Sequence, residues 1–259
     1  MKTKKQPTII AFSTQKGGVG KSTFTTLIAS ILHYRMNFQV AVFDCDFPQY
    51  SLVQMRERDL KIVMQNEALK KMAHKQFTTI NKKAYPVFQS KADQVLEDMD
   101  NYIADAEPVP DVIFLDLPGT VNTPGILKTL MSVHYIFSPI TADRVVLEST
   151  LSFTDVLTHV LMKENQTGIR GIHLFWNQVD GRERTPLYKN YSTVISDLGL
   201  QLMETTVTDS KRFRKESEAI AKTVFRSTLL PADPNLLRQC RLDQFIEEFL
   251  KIVKLKAYG

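Results

Sequence analysis

The chain has 259 residues, of which 43% are hydrophobic and 24% are charged, and its formal net charge is +5. This apolar content excludes a disordered chain, and the length lets one α/β domain bury a large core without disulfides. Cys45 and Cys240 are far apart and form no CxxC pair, which disfavours a disulfide scaffold, a zinc ribbon and an iron–sulfur site. The basic excess is compatible with a polyanionic partner, although many enzymes without one have a similar charge.

The sequence also bears on location. It contains no run of about 18 apolar residues, so we expect no membrane-spanning helix. The first apolar run ends at Phe12 and is too short for the core of a signal peptide. We therefore expect a cytoplasmic protein.

Short apolar strands alternate with amphipathic helices along the chain. The predicted strands are residues 8–13, 40–43, 112–115, 134–137, 172–176 and 202–207. Helical spacing of apolar residues predicts helices after the first and fourth strands, and a last helix around residues 242–253. In the helix after the fifth strand we expect Thr185 as N-cap, Pro186 at the first position and Gly199 just beyond the end. The pattern predicts an α/β fold, a mostly parallel sheet with helices on both faces.

A long polar stretch, residues 55–110, separates the second and third predicted strands. Between Lys61 and Lys91 it contains seven lysines and a single acid, Glu67. We expect helices and loops here, as an insertion within one domain of residues 1–259.

A glycine-rich segment joins the first strand to the first helix, and it reads Lys16-Gly17-Gly18-Val19-Gly20-Lys21-Ser22-Thr23. It is typical of the P-loop of nucleotide-binding proteins. Glycines let the backbone fold around phosphate oxygens at a helix N-terminus. Lys21 is suited to neutralise the β- and γ-phosphates, and the Ser22 hydroxyl is suited to ligate Mg²⁺. The segment therefore predicts ATP and Mg²⁺ as cofactors.

Acidic residues follow two strands of the same predicted sheet. Asp44 and Asp46 follow the second strand and Asp116 follows the third, so all three are expected beside the phosphate loop. Asp44 and Asp116, together with Ser22, are candidates for the metal environment, and Asp46 is the candidate for orienting water. A solvated turn after the strand is the alternative interpretation of Asp44 and Asp46. Phosphoryl transfer to water also needs positive charge at the γ-phosphate. Because no complete water-activating apparatus is recognisable, we expect slow hydrolysis without a partner.

These motifs resemble the ParA/MinD family of ATPases, which have a deviant Walker A motif. The family pattern KGGxGK[ST] matches Lys16 to Thr23 at every fixed position. The resemblance implies that Lys16 reaches the phosphates of a partner subunit across an ATP-dependent homodimer. It gives Asp44, Asp46 and Asp116 the same roles as above, and it implies that Asn177 binds adenine. A turn-capping role is the alternative for Asn177.

Two details depart from the common family sequences. The usual DPQ is here Asp46-Phe47-Pro48-Gln49, and the usual DxPP is here Asp116-Leu117-Pro118-Gly119. Both departures concern the switch loops more than ATP binding.

Basic residues are concentrated in the last third of the chain. The resemblance to ParA-like proteins implies that they form a surface for non-specific DNA, since phosphate contacts need charge and no base-reading geometry. A solvated helical face is the alternative interpretation. The candidate DNA-binding residues are Arg182, Arg184, Lys211, Arg212, Arg214, Lys215 and Arg226.

The function implied by the resemblance is an ATP-dependent dimerising switch on the nucleoid that acts in partition, maintenance or transfer of a plasmid, chromosome or conjugative element. Its implied partner is a DNA-bound, ParB-like adaptor that stimulates hydrolysis. Residues 224–233 and the DCDFPQ motif are similar to ParA-like proteins of conjugative elements. The alternatives are a MinD-like membrane-associated positioning ATPase and a metabolic P-loop ligase. Asp243, Glu247 and Glu248 in the last predicted helix disfavour membrane binding.

Overall fold

The computed structural model describes residues 6–119, 124–158, 167–182, 186–210 and 224–256. Within these ranges, seven strands form one sheet in the order β3-β2-β4-β1-β5-β6-β7, and every pairing is parallel. The predicted α/β fold is confirmed. The strands are β1 (Thr8–Phe12), β2 (Val40–Asp44), β3 (Val87–Gln89), β4 (Val112–Asp116), β5 (Tyr135–Ile140), β6 (Gly171–Trp176) and β7 (Gln201–Leu202).

Helices cover both faces of the sheet. They are α1 (Lys21–Tyr34), α2 (Ser51–Gln65), α3 (Glu67–Ile80), α4 (Val95–Asp105), α5 (Pro124–Ser132), α6 (Arg144–Val156), α7 (Leu187–Asp197), α8 (Pro234–Gln239) and α9 (Leu242–Val253).

Alternate residues of each central strand enter two separate cores. In β1, Ile10 and Phe12 join the core beneath α1 and α9, whereas Ala11 joins the core beneath α4, α5 and α6. This alternation follows from the period of two in a strand. Because both faces are covered, the central strands read as continuous apolar runs.

The last helix packs on the sheet, as its acidic residues led us to expect. Its apolar face is buried, and the ring centroid of Phe249 lies 4.8 Å from that of Phe137 in β5. In the described part of the chain, no helix is long and apolar enough to cross a membrane.

The boundaries differ from prediction in two places. The strand expected at residues 202–207 is confined to β7, because the amides of Glu204 and Thr205 donate to the Glu248 carboxylate of α9, at 2.7 and 2.8 Å, instead of continuing a ladder. Helix α7 begins one residue later than expected, with Pro186 as its N-cap; Thr185 lies outside the described residues. Gly199 follows the helix end with φ of 69°, as expected.

The polar stretch at residues 55–110 contains most of α2, all of α3 and α4, and a strand that the prediction missed. This strand, β3, pairs with β2 at the edge of the sheet. The expected helices are therefore present, and the segment also extends the sheet.

Candidate nucleotide-binding site

The phosphate loop connects β1 to α1 and is shaped by its glycines. Gly18 and Gly20 have φ of 78° and 99°, in the left-handed region that suits glycine. At Gly20 a Cβ atom would also lie 3.3 Å from the Asn177 amide nitrogen. Helix α1 begins directly after Gly20, and its first turn contains no acidic side chain to compete for its amides. The loop and the helix start therefore present N–H groups to an anion.

Lys21 lies inside this loop. Its Nζ donates to the carbonyl oxygen of Lys16, at 3.1 Å. Burial lowers the pKa of Lys21, and the carboxylates of Asp116 and Asp46 oppose that shift. A Cβ atom at Gly119 would lie 3.2 Å from the Lys21 Nζ, so a glycine after β4 leaves room for the amine. The Lys16 residue itself is exposed.

Asp44 and Asp116 are register partners at the ends of β2 and β4. The Asp44 carboxylate accepts hydrogen bonds from the amides of Leu52 and Val53, at 2.8 and 3.0 Å, and so caps the start of α2. Burial raises the pKa of Asp44, while these backbone hydrogen bonds oppose the shift. The Asp44 carboxylate thus ties the start of α2 to the end of β2.

Asp116 has a different environment. It is buried, and neither carboxylate oxygen has a hydrogen-bond partner among the described residues. Burial raises the pKa of Asp116 to about 7, and the carboxylates of Asp44 and Asp46 add to this shift, whereas the Ser22 hydroxyl and Lys21 oppose it. Buried carboxylate oxygens without donors, next to a serine hydroxyl, fit a hard cation such as Mg²⁺.

Three or more His, Cys, Asp or Glu side chains do not cluster as a metal site anywhere in the described residues. Asp46, Ser22 and the glycines of the phosphate loop line a cleft of about 730 Å³, the phosphate cleft. At its edge the Ser51 hydroxyl donates to that of Ser22, at 3.3 Å.

A second cavity, of about 320 Å³, adjoins this phosphate cleft and is lined by Asn177. The Asn177 Nδ2 donates to the carbonyl oxygen of Val19, at 2.9 Å, and thereby ties the end of β6 to the phosphate loop. Its Oδ1 is buried and has no hydrogen-bond partner in the described parts of the chain. A buried acceptor without a partner among the described residues, on a side chain that lines a cavity beside the phosphate loop, suits the amino group of a base. Gly18, Gly20 and Thr23 line both cavities.

The DNA-binding candidates do not lie together among the described residues. Arg182 is exposed beyond the end of β6. Arg226 instead lines the phosphate cleft, where its guanidinium donates to the Thr23 hydroxyl. The structure thus places Arg226 in the phosphate cleft, whereas the sequence analysis grouped it with the candidate DNA surface; its role in DNA binding stays a prediction. Outside the described residues lie Arg184, Lys211, Arg212, Arg214 and Lys215.

Several residues of the phosphate cleft were missed by sequence reasoning. Ser51 follows the acidic motif closely, and its position just before an apolar helical pattern could have identified it. Arg58 and Gln54 lie on α2 and carry no motif. The missed lining residues are Gln49, Ser51, Gln54, Met55, Arg58 and Gly119.

The fold and the site together define a P-loop nucleotide-binding protein. A family model described as the CobQ/CobB/MinD/ParA nucleotide binding domain matches residues 10–222, and the chain belongs to this family. The resemblance to ParA/MinD proteins is thereby confirmed.

Solved structures share this fold. A plasmid partition protein from Borrelia burgdorferi B31 bound to AMPPNP is 17% identical, with a TM-score of 0.57 over 96% of this chain and 98% of that chain. A complex of a Cyanothece McdA variant with ATP is 13% identical, with a TM-score of 0.63 over 99% and 100%. The pNOB8 ParA bound to nonspecific DNA is 18% identical, with a TM-score of 0.57 over 96% and 99%. A search of curated protein sequences found no match.

Proposed function

We propose that the protein is an ATPase switch that dimerises on ATP, binds DNA non-specifically and acts in partition, maintenance or transfer of a plasmid, chromosome or conjugative element. The observation that carries the nucleotide chemistry is the buried Asp116 carboxylate, without hydrogen-bond partners among the described residues, beside Ser22 and Lys21 of the phosphate loop. The ParA structure bound to nonspecific DNA supports the DNA-binding part. A DNA-bound, ParB-like adaptor is proposed to stimulate hydrolysis.

The geometry of the site supports a role for each of its residues. Lys21 and the loop amides hold the phosphates, and Asn177 accepts a hydrogen bond from the adenine amino group. Ser22, Asp44 and Asp116 would hold Mg²⁺, which when bound neutralises charge on the phosphate oxygens. Asp46 orients a water whose oxygen attacks the γ-phosphorus as the bond to the bridging oxygen breaks, which yields ADP and phosphate. The exposed Lys16 is left to act on the partner subunit's nucleotide.

The DNA-binding part is tested by fluorescence anisotropy at one fixed salt concentration, with no nucleotide, ADP or ATP. We expect binding to two unrelated DNA sequences with equal affinity, only with ATP, and lost in Lys21→Ala. Binding that is indifferent to nucleotide would contradict the switch. Binding to anionic vesicles in place of DNA would favour a MinD-like role, although the buried apolar face of α9 offers no support for that alternative.

The DNA surface has a matched pair of variants. Arg182 lies after β6 and Arg170 lies before it, and both are exposed. The two arginines therefore lie near opposite ends of the same strand. If the DNA surface lies at the carboxyl ends of the strands, beside the candidate nucleotide site, Arg182→Ala weakens DNA binding. It also lowers the slope of log affinity against log salt concentration by about 1, whereas Arg170→Ala changes neither. Equal effects from both variants would exclude Arg182 from a localised DNA surface.

A further inference from the structure

We infer that Arg226 binds the phosphate chain of the nucleotide within its own subunit, at the end nearest the α-phosphate. The inference rests on the proposed ATP binding and adds a phosphate ligand that lies outside the glycine-rich loop. It also gives a role in nucleotide binding to Arg226, which the sequence analysis grouped with the candidate DNA-binding residues.

The guanidinium of Arg226 lies at the start of α1. Arg226 lines the phosphate cleft and donates to the hydroxyl of Thr23. Thr23 is the third residue of α1, and the first amides of a helix are available to bind an anion. Because Thr23 lines both the phosphate cleft and the Asn177 cavity, it marks the junction between them. The α-phosphate of a nucleotide joins the base-bearing ribose to the other phosphates, so it belongs at this junction.

Buried hydrogen bonds hold the segment that follows Arg226. The buried Asp59 carboxylate on α2 accepts hydrogen bonds from the Ser227 hydroxyl at 3.1 Å, the Thr228 amide at 2.6 Å and the Thr228 hydroxyl at 2.9 Å. From α1, the Ser30 hydroxyl donates to the Ser227 carbonyl oxygen at 2.6 Å. The backbone next to Arg226 is therefore fixed to the two helices that border the cleft.

Further contacts from α1 and α2 hold the same segment. The Tyr34 hydroxyl donates to the Thr228 carbonyl oxygen, at 2.8 Å. Arg56, on α2, also donates to this carbonyl oxygen, at 3.0 Å, and to the Thr228 hydroxyl, at 2.9 Å. A fixed backbone limits the entropy lost when the arginine binds, which is the structural requirement for a ligand-binding side chain.

The guanidinium group of Arg226 suits a phosphate ligand. It presents a planar fork of N–H donors, which matches the oxygens of a phosphate and binds them in pairs. Because Arg226 lines the phosphate cleft and donates to the hydroxyl of Thr23, this fork lies where the phosphates are expected.

The test is isothermal titration calorimetry with MgATP and MgADP, without DNA. We expect Arg226→Ala to weaken both nucleotides by the same factor, about 10- to 100-fold, because the α-phosphate is common to both. Arg238→Ala is the matched control, since it removes an exposed arginine that hydrogen-bonds Asn235 of its own helix. Unchanged affinity in Arg226→Ala, or a loss confined to ATP, would overturn the inference.

A second variant separates binding from folding. Arg226→Lys keeps the charge and loses the fork, so it should retain the wild-type urea midpoint and show a smaller loss of affinity than the alanine variant. If Arg226→Ala is unfolded, the lysine variant decides, and wild-type affinity in that variant overturns the inference. Failure of the proposed function looks different, because wild type itself would then bind neither nucleotide and Lys21→Ala would change nothing.

Discussion

Asp59 shows how one buried side chain can support a site that it does not touch. Its carboxylate is engaged by the hydroxyls of Ser227 and Thr228 and by the Thr228 amide. Removing it leaves these donors buried without their acceptor. We expect Asp59→Ala to lower the free energy of unfolding in urea by about 2–4 kcal/mol. Glu57→Ala, an exposed acid on the same helix, should change it by less than about 0.5 kcal/mol. Equal losses in both variants would show that Asp59 has no special role.

His173 gives the protein a defined pH dependence. Its ring stacks on Phe137 in β5, with centroids 5.5 Å apart. Burial lowers the pKa of His173 to about 4, although the Glu248 carboxylate opposes the shift. The unfolded chain has an ordinary histidine pKa of about 6.5. Between these two values the unfolded state binds more protons, so the folded state loses stability as the pH falls from about 6.5 to about 4.

His173→Gln removes this contribution. The slope of unfolding free energy against pH, measured in urea between pH 4 and 6.5, should fall by up to about 1.4 kcal/mol per pH unit relative to wild type. His74→Gln, on the exposed surface of α3, is the control for loss of a histidine. An unchanged slope in His173→Gln would show that the ring titrates normally in the folded protein.

The sequence identifies some site residues and misses others for a physical reason. Lys21 and Ser22 belong to a local motif, and the ends of two parallel strands bring Asp44 and Asp116 together, so both groups can be predicted. Arg226 contacts Thr23 across 203 positions of the chain, through a segment without regular secondary structure. No periodicity or spacing encodes such a contact. Its placement depends on buried hydrogen bonds to α1 and α2.

The packing of α9 decides whether this helix is bound to the sheet or is available to bind a membrane. Phe249 is fully buried, and its ring centroid lies 6.4 Å from that of Phe12 and 4.8 Å from that of Phe137. We expect Phe249→Ala to lower the free energy of unfolding by about 3–5 kcal/mol, because it opens a cavity in the core.

Lys251→Ala, on the exposed side of α9, is the matched control and should lie within about 0.5 kcal/mol of wild type. Chemical denaturation followed by circular dichroism measures both variants. A small effect of Phe249→Ala would mean that α9 detaches readily from the sheet, and it would reopen the membrane-associated alternative.

The elements also differ in how well the sequence predicts them. The central strands are apolar runs covered on both faces, and each was identified to within three residues at either end. The edge strand β3 has three residues, and none of them is fully buried, so it shows no clear apolar pattern. At the other edge, Glu248 of α9 diverts the chain after β7. Edge strands depend on tertiary contacts that a local pattern does not contain.

Substitutions of the two lysines in the phosphate loop are expected to cause different defects in ATP binding and dimerisation. Lys21 lies inside the loop, where burial lowers its pKa and Asp116 and Asp46 oppose the shift. Lys16 is exposed, and it contributes its carbonyl oxygen, not its side chain, to the contact with Lys21. If Lys16 acts on the nucleotide of a partner subunit, its side chain is dispensable for ATP binding by one chain and required for the dimer.

We therefore expect Lys16→Ala to bind ATP with an affinity close to that of wild type, to remain monomeric with ATP, and to hydrolyse it about 100-fold more slowly at a concentration where wild type is dimeric. Lys21→Ala should lose ATP binding itself. Sedimentation velocity with AMPPNP, together with calorimetry, measures the two properties separately. A Lys16→Ala protein that dimerises like wild type would contradict a role for Lys16 in the dimer, which would then depend on other contacts. A variant that no longer binds ATP as a monomer would assign Lys16 to its own subunit's nucleotide.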